Sequence, residues 1–370
     1  MKHRDLNIAI FTPSRNPYSE TFIQAHKRYL KGNIFYFYAM GGNIQLENRP
    51  PLATFITKAF LKFYEKLFKK GSNYVWETVL LKALKAYKIE AILVEYGTHA
   101  HHLRRVLKAS GLPVVVHFHG FDASVRPTIN GCDSYKEVFE MANKVVAVSR
   151  VMEQSLLTLG CPRYKLVYNV YGPQPEFMEV QATFAKKQFV AIGRFVNKKA
   201  PYYTILAFIS VIEKYPDAML LMAGQGELYN TCNNLIKYYG IEQNIKLLGV
   251  IRPKDYRGLL EESLAFVQHS VTAINGDMEG TPLAVLEASA AGLPVISTRH
   301  AGISDVVVHG ETGLLCDEHD VETMSKHMLM LLDDVEKAKR MGEKGKKRIQ
   351  ELFSLEHHID GLQQLLEASV

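Results

Sequence analysis

The chain has 370 residues, a length that favours two domains over one, and its 47% apolar and 22% charged residues exclude a disordered or fibrous protein. No apolar run reaches the ~18–20 residues of a membrane-spanning helix, and the four cysteines (Cys132, Cys161, Cys232, Cys316) stand at no metal-ligand spacing and read as reduced thiols. The net charge of +6 is divided unevenly, with 24 Lys/Arg against 12 Asp/Glu in residues 1–175 and 20 against 26 in residues 176–370, so the basic half suits an anionic membrane, a phosphorylated substrate or nucleic acid.

Met1-Lys2-His3-Arg4-Asp5 leads straight into a strand-like run with no signal peptide, which gives the expectation of a cytoplasmic protein. Strands are expected at 6–12, 33–39, 90–95, 113–118 and 144–149, with helices near 19–31, 53–69, 74–87, 99–109, 135–142 and 150–159 between them. Gly172, Pro173 and Pro175 then mark a break. Beyond it, strands at 187–192, 218–223, 244–248, 264–268 and 293–297 alternate with helices near 201–214, 227–239, 254–262, 282–291 and 320–350. A last helical pattern covers 355–368. Continuous apolar runs alternating with helices indicate parallel sheets covered on both faces. Two such series predict two doubly wound, Rossmann-like α/β domains, 1–175 and 176–352, followed by a terminal segment 353–370.

Residues 55–70 combine five lysines and one glutamate with Phe55, Phe60, Phe63, Leu67 and Phe68 at helical spacing. Two readings stay open: a helix lying on an anionic membrane, or one with its aromatic face in the core. His99, His101 and His102 superficially suggest a metal site, as do Cys316, His319 and Asp320. Both read instead as helix-start or loop surface, so no metal is expected.

In an open parallel sheet, ligands bind beyond the carboxyl ends of the strands. There the second half places Gly193-Arg194, Gly224-Gln225-Gly226 and Gly249-Val250. The most informative stretch is Asp277-Met278-Glu279-Gly280-Thr281-Pro282-Leu283, running through Glu287 to Gly292. Thr281 is a good N-cap and Pro282 a good first helical residue, leaving the amides of Leu283 and Ala284 to meet an anion. Glu279 and Glu287 would repel a diphosphate but can accept hydrogen bonds from the hydroxyls of a ribose and a hexose. Arg194 and Lys199, leaving the first strand of the same domain, are the cations for the phosphates.

The spacing of Glu279 and Glu287 resembles the paired-glutamate motif of retaining family 4 glycosyltransferases with the GT-B fold. Ser19-Glu20-Thr21-Phe22-Ile23, His117-Phe118-His119-Gly120-Phe121-Asp122 and Ser297-Thr298-Arg299-His300-Ala301-Gly302 resemble the exopolysaccharide and colanic-acid-type branch. The resemblance implies a hexose moved from a UDP- or GDP-sugar, without metal, to a glycan or lipid-linked acceptor in cell-surface polysaccharide biosynthesis. It further implies two domains facing each other across a cleft, the terminal segment packing on the first, and a place in the cytoplasm or at the inner face of the plasma membrane. By the same resemblance, Arg194 and Lys199 hold the diphosphate and Glu287 the ribose. Glu279 and His119 contact the transferred sugar, Gly193 and Gly280 to Leu283 (Thr281 and Pro282 among them) line the donor, and Gly249 and Val250 lie near the base. The sequence departs from the family at Thr12 to Pro17, where paired glycines are common, and at Ala200, where glycine usually follows the loop lysine. The alternative function is a non-catalytic nucleotide-sugar-binding scaffold; a nucleic-acid binder is disfavoured, because the basic half has no basic-aromatic groove pattern.

Overall fold

The computed structural model describes residues 5–15 and 20–370. Asn16 and Pro17 of the loop after the first strand, and Ser19 of the 19–23 motif, lie outside the described residues.

The chain packs as two compact units. One holds the chain up to Val148 together with Met152–Asn169 and His358–Val370; the other holds Ser149–Val151 and Val170–His357. Short Val-, Ile- and Phe-rich runs form the sheet of the first unit: β1 (Asn7–Thr12), β2 (Asn33–Tyr38), β3 (Gln45–Leu46), β4 (Ala91–Glu95), β5 (Val114–His117), β6 (Lys144–Ala147) and β7 (Leu166–Tyr168). Their order is β3-β2-β1-β4-β5-β6-β7. Every pairing is parallel except the short β2–β3 ladder.

The second unit contains β8 (Gln188–Ile192), β9 (Met219–Ala223), β10 (Ile245–Gly249), β11 (Ala265–Gln268), β12 (Val295–Thr298) and β13 (Gly313–Cys316). They form an all-parallel sheet of order β10-β9-β8-β11-β12-β13, the doubly wound order whose connections reverse direction between the first and fourth strands. The expected pair of doubly wound α/β sheets is therefore observed. Because helices cover both faces, the strands are mostly apolar, with polar residues largely at their ends. Phe189, Leu220, Val267 and Ile296 of the second sheet pack with Phe208 and Met324 of its helices, and Ile8, Phe37, Ile92 and Val115 are wholly buried in the first.

Three local expectations need correction. The helix expected over 320–350 is two helices, Val321–Asp333 and Val335–Leu352. Asp334 leaves helical geometry (φ −138°, ψ 83°) and its carboxylate accepts from the Lys337 N–H at 2.9 Å, capping the second helix. His99 is buried on the helix Gly97–Ser110, not at the surface, while His101 and His102 are half-buried. The third concerns Phe55–Leu67, capped by Thr54, whose hydroxyl accepts from the Thr57 N–H at 3.2 Å. Only Leu61 of that helix is buried, and Phe55, Ile56, Phe60, Phe63, Leu67 and the following Phe68 are 52–86% exposed. The core reading of 55–70 fails.

Candidate functional site

The site is built in the second unit, where β8 and β11 lie side by side and their onward connections run opposite ways. That divergence opens a crevice at the carboxyl ends of the strands. A hollow lies there, lined among others by Gly193, Arg194, Lys199, Thr204, Met222 and Gln268.

Its rim is one hydrogen-bonded fabric. The Gly193 N–H donates to the Ala223 carbonyl (3.0 Å), the Phe195 N–H to that of Gln225 (2.9 Å), and the Gly224 N–H to that of Gly249 (2.7 Å). Glycine is required at 224, where φ is +138° and a Cβ would stand 1.9 Å from the Gly193 carbonyl oxygen. Here the glycine serves rim packing, not ligand approach. Val250, next along the rim, is exposed.

The loop after β8 carries three cations with different surroundings. Arg194 is exposed. Lys198 is buried and donates to Asp277 Oδ1 (2.9 Å) and the Met278 carbonyl (3.0 Å), pinning the 277–279 loop to the rim. Lys199 Nζ lies 3.1 Å from Glu279 Oε1 and 3.4 Å from Gln268 Oε1. Burial alone would push the Glu279 carboxyl up, but the charges of Lys199 and Lys198 outweigh it and hold it at about 2. Burial lowers the Lys199 ammonium, opposed by Glu279. The pair is thus a mostly buried, ionised contact.

Glu279 is also held from behind. Its N–H donates to His300 Nε2 at 3.1 Å, which makes that nitrogen the acceptor and leaves the proton on Nδ1. His300 Nδ1 in turn donates to Glu318 Oε1 at 2.6 Å, and the second Glu318 oxygen accepts from the Thr272 N–H at 2.8 Å.

The helix that follows is Leu283–Ala290, and Thr281 is not its N-cap. Pro282, in an extended conformation (φ −65°, ψ 120°), occupies that position, and no side chain caps the helix. Thr281 is turned toward the 302 turn: a Cβ at Gly302 would lie 2.1 Å from its hydroxyl, and the Gly302 N–H donates to the Gly280 carbonyl at 2.9 Å. The Pro282 carbonyl accepts from Val285 at 3.1 Å. The first-turn amides of Leu283 and Ala284 therefore still lead the helix, so the anion-binding argument survives the shift of one residue. Glu287, one turn in, has its carboxyl raised to about 7 by burial.

The structure thus unites Gly193, Arg194, Lys199, Glu279, Gly280 to Leu283 and Glu287 with Gly249 and Val250 in one unit. His119 belongs to the other unit, at the end of β5, where its Nε2 meets Glu95 Oε2 at 2.9 Å. Sequence reasoning missed Lys198, Gln268, His300 and Glu318, and nothing local distinguishes Lys198 from Lys199.

Residues 174–348 match the family described as "Glycosyl transferases group 1". That stretch lies within the second unit and is just under half of the chain. Among curated relatives, the amylovoran biosynthesis glycosyltransferase AmsK of Erwinia amylovora is 29% identical over 71% of this chain and 66% of its own. WcaL of Escherichia coli, whose name assigns it to colanic acid biosynthesis, is 28% identical over 57% of this chain and 53% of its own. The aligned stretches thus span between about half and two thirds of these relatives. The crystal structure of Anabaena Alr3699/HepE in complex with UDP-glucose superposes with a TM-score of 0.74 at 14% identity, over 98% of this chain and all of that one. That likeness shows the fold, GT-B.

Proposed function

We propose that this glycosyl transferase moves a hexose from a UDP- or GDP-sugar to a glycan or lipid-linked acceptor in cell-surface polysaccharide biosynthesis, with retention at the anomeric carbon. The observation that carries the reading is the Lys199–Glu279 pair, its lysine lining the switch-point hollow with Arg194 and its glutamate four residues ahead of the helix Leu283–Ala290, in the stretch matched by the group 1 family. AmsK and WcaL, named for exopolysaccharides, support the pathway class, and HepE, crystallised with UDP-glucose, supports the donor class.

Breaking the sugar–phosphate bond leaves negative charge on the diphosphate and positive charge on the sugar. Arg194, Lys199 and the amides of Leu283 and Ala284 offset the first. In the unliganded site Glu279 neutralises Lys199, so the cation is preorganised without an unpaired buried charge. An arriving diphosphate shares Lys199, while the Glu279 carboxylate accepts from hydroxyls of the sugar. Glu287 accepts from the ribose, and Gly249 and Val250 flank the base. Retention follows if the acceptor attacks the face the diphosphate leaves, with a phosphate oxygen taking the acceptor proton. These fixed cations do the work of a divalent metal at the diphosphate, so turnover should persist when EDTA is added at the start of the assay.

The helix Phe55–Leu67 supplies a membrane contact. Its exposed Phe55, Phe60 and Phe63 stand among Lys58, Lys62, Lys66, Lys69 and Lys70, and apolar groups ringed by cations complement an anionic lipid surface. This fits a lipid-linked acceptor and a place at the inner face of the plasma membrane.

The test is a thermal-shift panel of UDP, GDP, ADP and their sugar conjugates, followed by NMR of the product. A shift with one nucleotide and its sugar identifies the donor. No shift in a folded sample would remove the donor-site reading, and an inverted product would remove retention.

A further inference from the structure

We propose that His26, His117 and His358 together bind one first-row divalent metal ion of the Zn2+ type through their Nε2 atoms. The three come from distant parts of the first unit: the helix Thr21–Tyr29, the end of β5 and the final helix Leu355–Glu367. All three are buried, and a ligand atom of each lies within 4.8 Å of those of the other two.

The outer nitrogen of each ring faces an oxygen. His117 Nδ1 lies 3.2 Å from the Phe118 carbonyl, which can only accept. His358 Nδ1 lies 3.1 Å from Asn169 Oδ1, and the Asn169 amide is oriented by its Nδ2, which donates to the His358 carbonyl at 3.0 Å. His26 Nδ1 lies 2.7 Å from Glu95 Oε1. The carbonyl and amide oxygens assign the proton to Nδ1 in His117 and His358, and Glu95 does so in His26 when it is ionised. Each Nε2 then presents a lone pair, and those of His26 and His358 stand only 2.8 Å apart. Two lone pairs at that distance repel unless a positive species lies between them, either a proton or a cation. A carboxylate, an amide oxygen and a backbone carbonyl behind three imidazoles are the outer partners that metal-bound histidines use.

The ring spacing is compatible with a metal, as it is with a direct Nε2–H···Nε2 bond between His26 and His358 at 2.8 Å and a centroid separation of 5.0 Å. Tetrahedral Zn2+ with nitrogens at ~2.0–2.1 Å sets neighbouring imidazole centroids about 5.2 Å apart. The observed separations are 5.2 Å (His26–His117), 5.0 Å (His26–His358) and 5.7 Å (His117–His358). Neighbouring ligand nitrogens would stand about 3.3 Å apart, so the His26–His358 pair has to open by about half an ångström. Three imidazoles favour Zn2+ and its first-row neighbours, whereas Ca2+ and Mg2+ want oxygen. An ion so enclosed is structural. It would clamp the final helix to the first sheet and, through Glu95, whose other oxygen meets His119, fix the orientation of His119.

The experiment uses the full-length protein freed of any affinity tag, with metal content read by plasma mass spectrometry. About one ion per chain is expected, with tetrahedral visible absorption when Co2+ is added to chelator-stripped protein, and Zn2+ should raise the thermal midpoint of that stripped protein. His358→Gln and His117→Gln should fall below about a tenth of an ion per chain, while His357→Gln, exposed on the same helix, should keep its metal. Wild-type protein that carries no metal and, once stripped, takes up neither Zn2+ nor Co2+ would overturn the proposal and leave a shared proton in the metal's place. So would a folded His358→Gln protein that retains the full equivalent. Where the variants fail to fold, the wild-type content and uptake decide alone.

Discussion

At the scale of single residues, the site is governed by how charges are compensated. Removing Arg194 or Lys199 by alanine substitution should reduce transfer by about a hundredfold or more, because each takes away one of the two fixed cations proposed for the departing diphosphate. Single-turnover rates with the native donor measure this, and near-normal rates would take the residue out of the site. Glu287 makes a separate pH prediction. Its carboxyl titrates at about 7 in the folded chain but near ~4.3 unfolded. The folded protein therefore holds a proton that the unfolded chain has released, so stability falls as pH rises from about 4.3 to about 7 and levels above that. Glu287→Gln should flatten this slope in the thermal midpoint of the ligand-free protein. If ribose hydroxyls need the carboxylate, wild-type nucleotide affinity should also weaken below about pH 7, and calorimetry with UDP or GDP would show it. Ala200 is a residue whose identity only the backbone explains. It sits in left-handed geometry (φ +35°, ψ 52°) ahead of the helix Pro201–Lys214, where the related family commonly has glycine. Ala200→Gly should stabilise the protein by roughly 1 kcal/mol, read from denaturant midpoints.

At the scale of elements, periodicity located most helices and strands to within a residue or two, because the alternation of buried runs and amphipathic segments is local information. It failed where a single side chain rules. The amphipathic pattern of 320–350 continues through Asp334, and only the observed cap divides it in two. It also could not say what the aromatic face of Phe55–Leu67 meets, since core and bilayer select the same pattern. Exposure rules out the core, and on the proposed membrane contact Phe60→Glu with Phe63→Glu should abolish sedimentation with anionic liposomes. The same change should leave the thermal midpoint within the small range of surface substitutions, about 0.5 kcal/mol in equivalent stability. Retained liposome binding would remove the helix from the membrane contact.

At the scale of the whole molecule, the chain does not divide into two consecutive pieces. The first unit is completed by His358–Val370, whose Gln363 side chain accepts from the Lys31 N–H at 3.0 Å and whose His358 meets His26 and Asn169. A chain ending at residue 352 should therefore lose hydrogen-exchange protection in β1 and β5 while the second unit keeps its nucleotide-induced thermal shift. Unchanged protection in β5 would make the final helix dispensable.

The sequence by itself determined the two doubly wound sheets, the glycine-turned rim and the stretch from Glu279 to Glu287, because strand runs, turns and a helix start are written in neighbouring residues. Only the tertiary structure decided which lysine pairs with which carboxylate, that His300 and Glu318 stand behind Glu279, and that histidines 26, 117 and 358 converge. Those contacts join residues tens to hundreds of positions apart. Their energies depend on burial and on distances of a few ångströms, which no local pattern encodes.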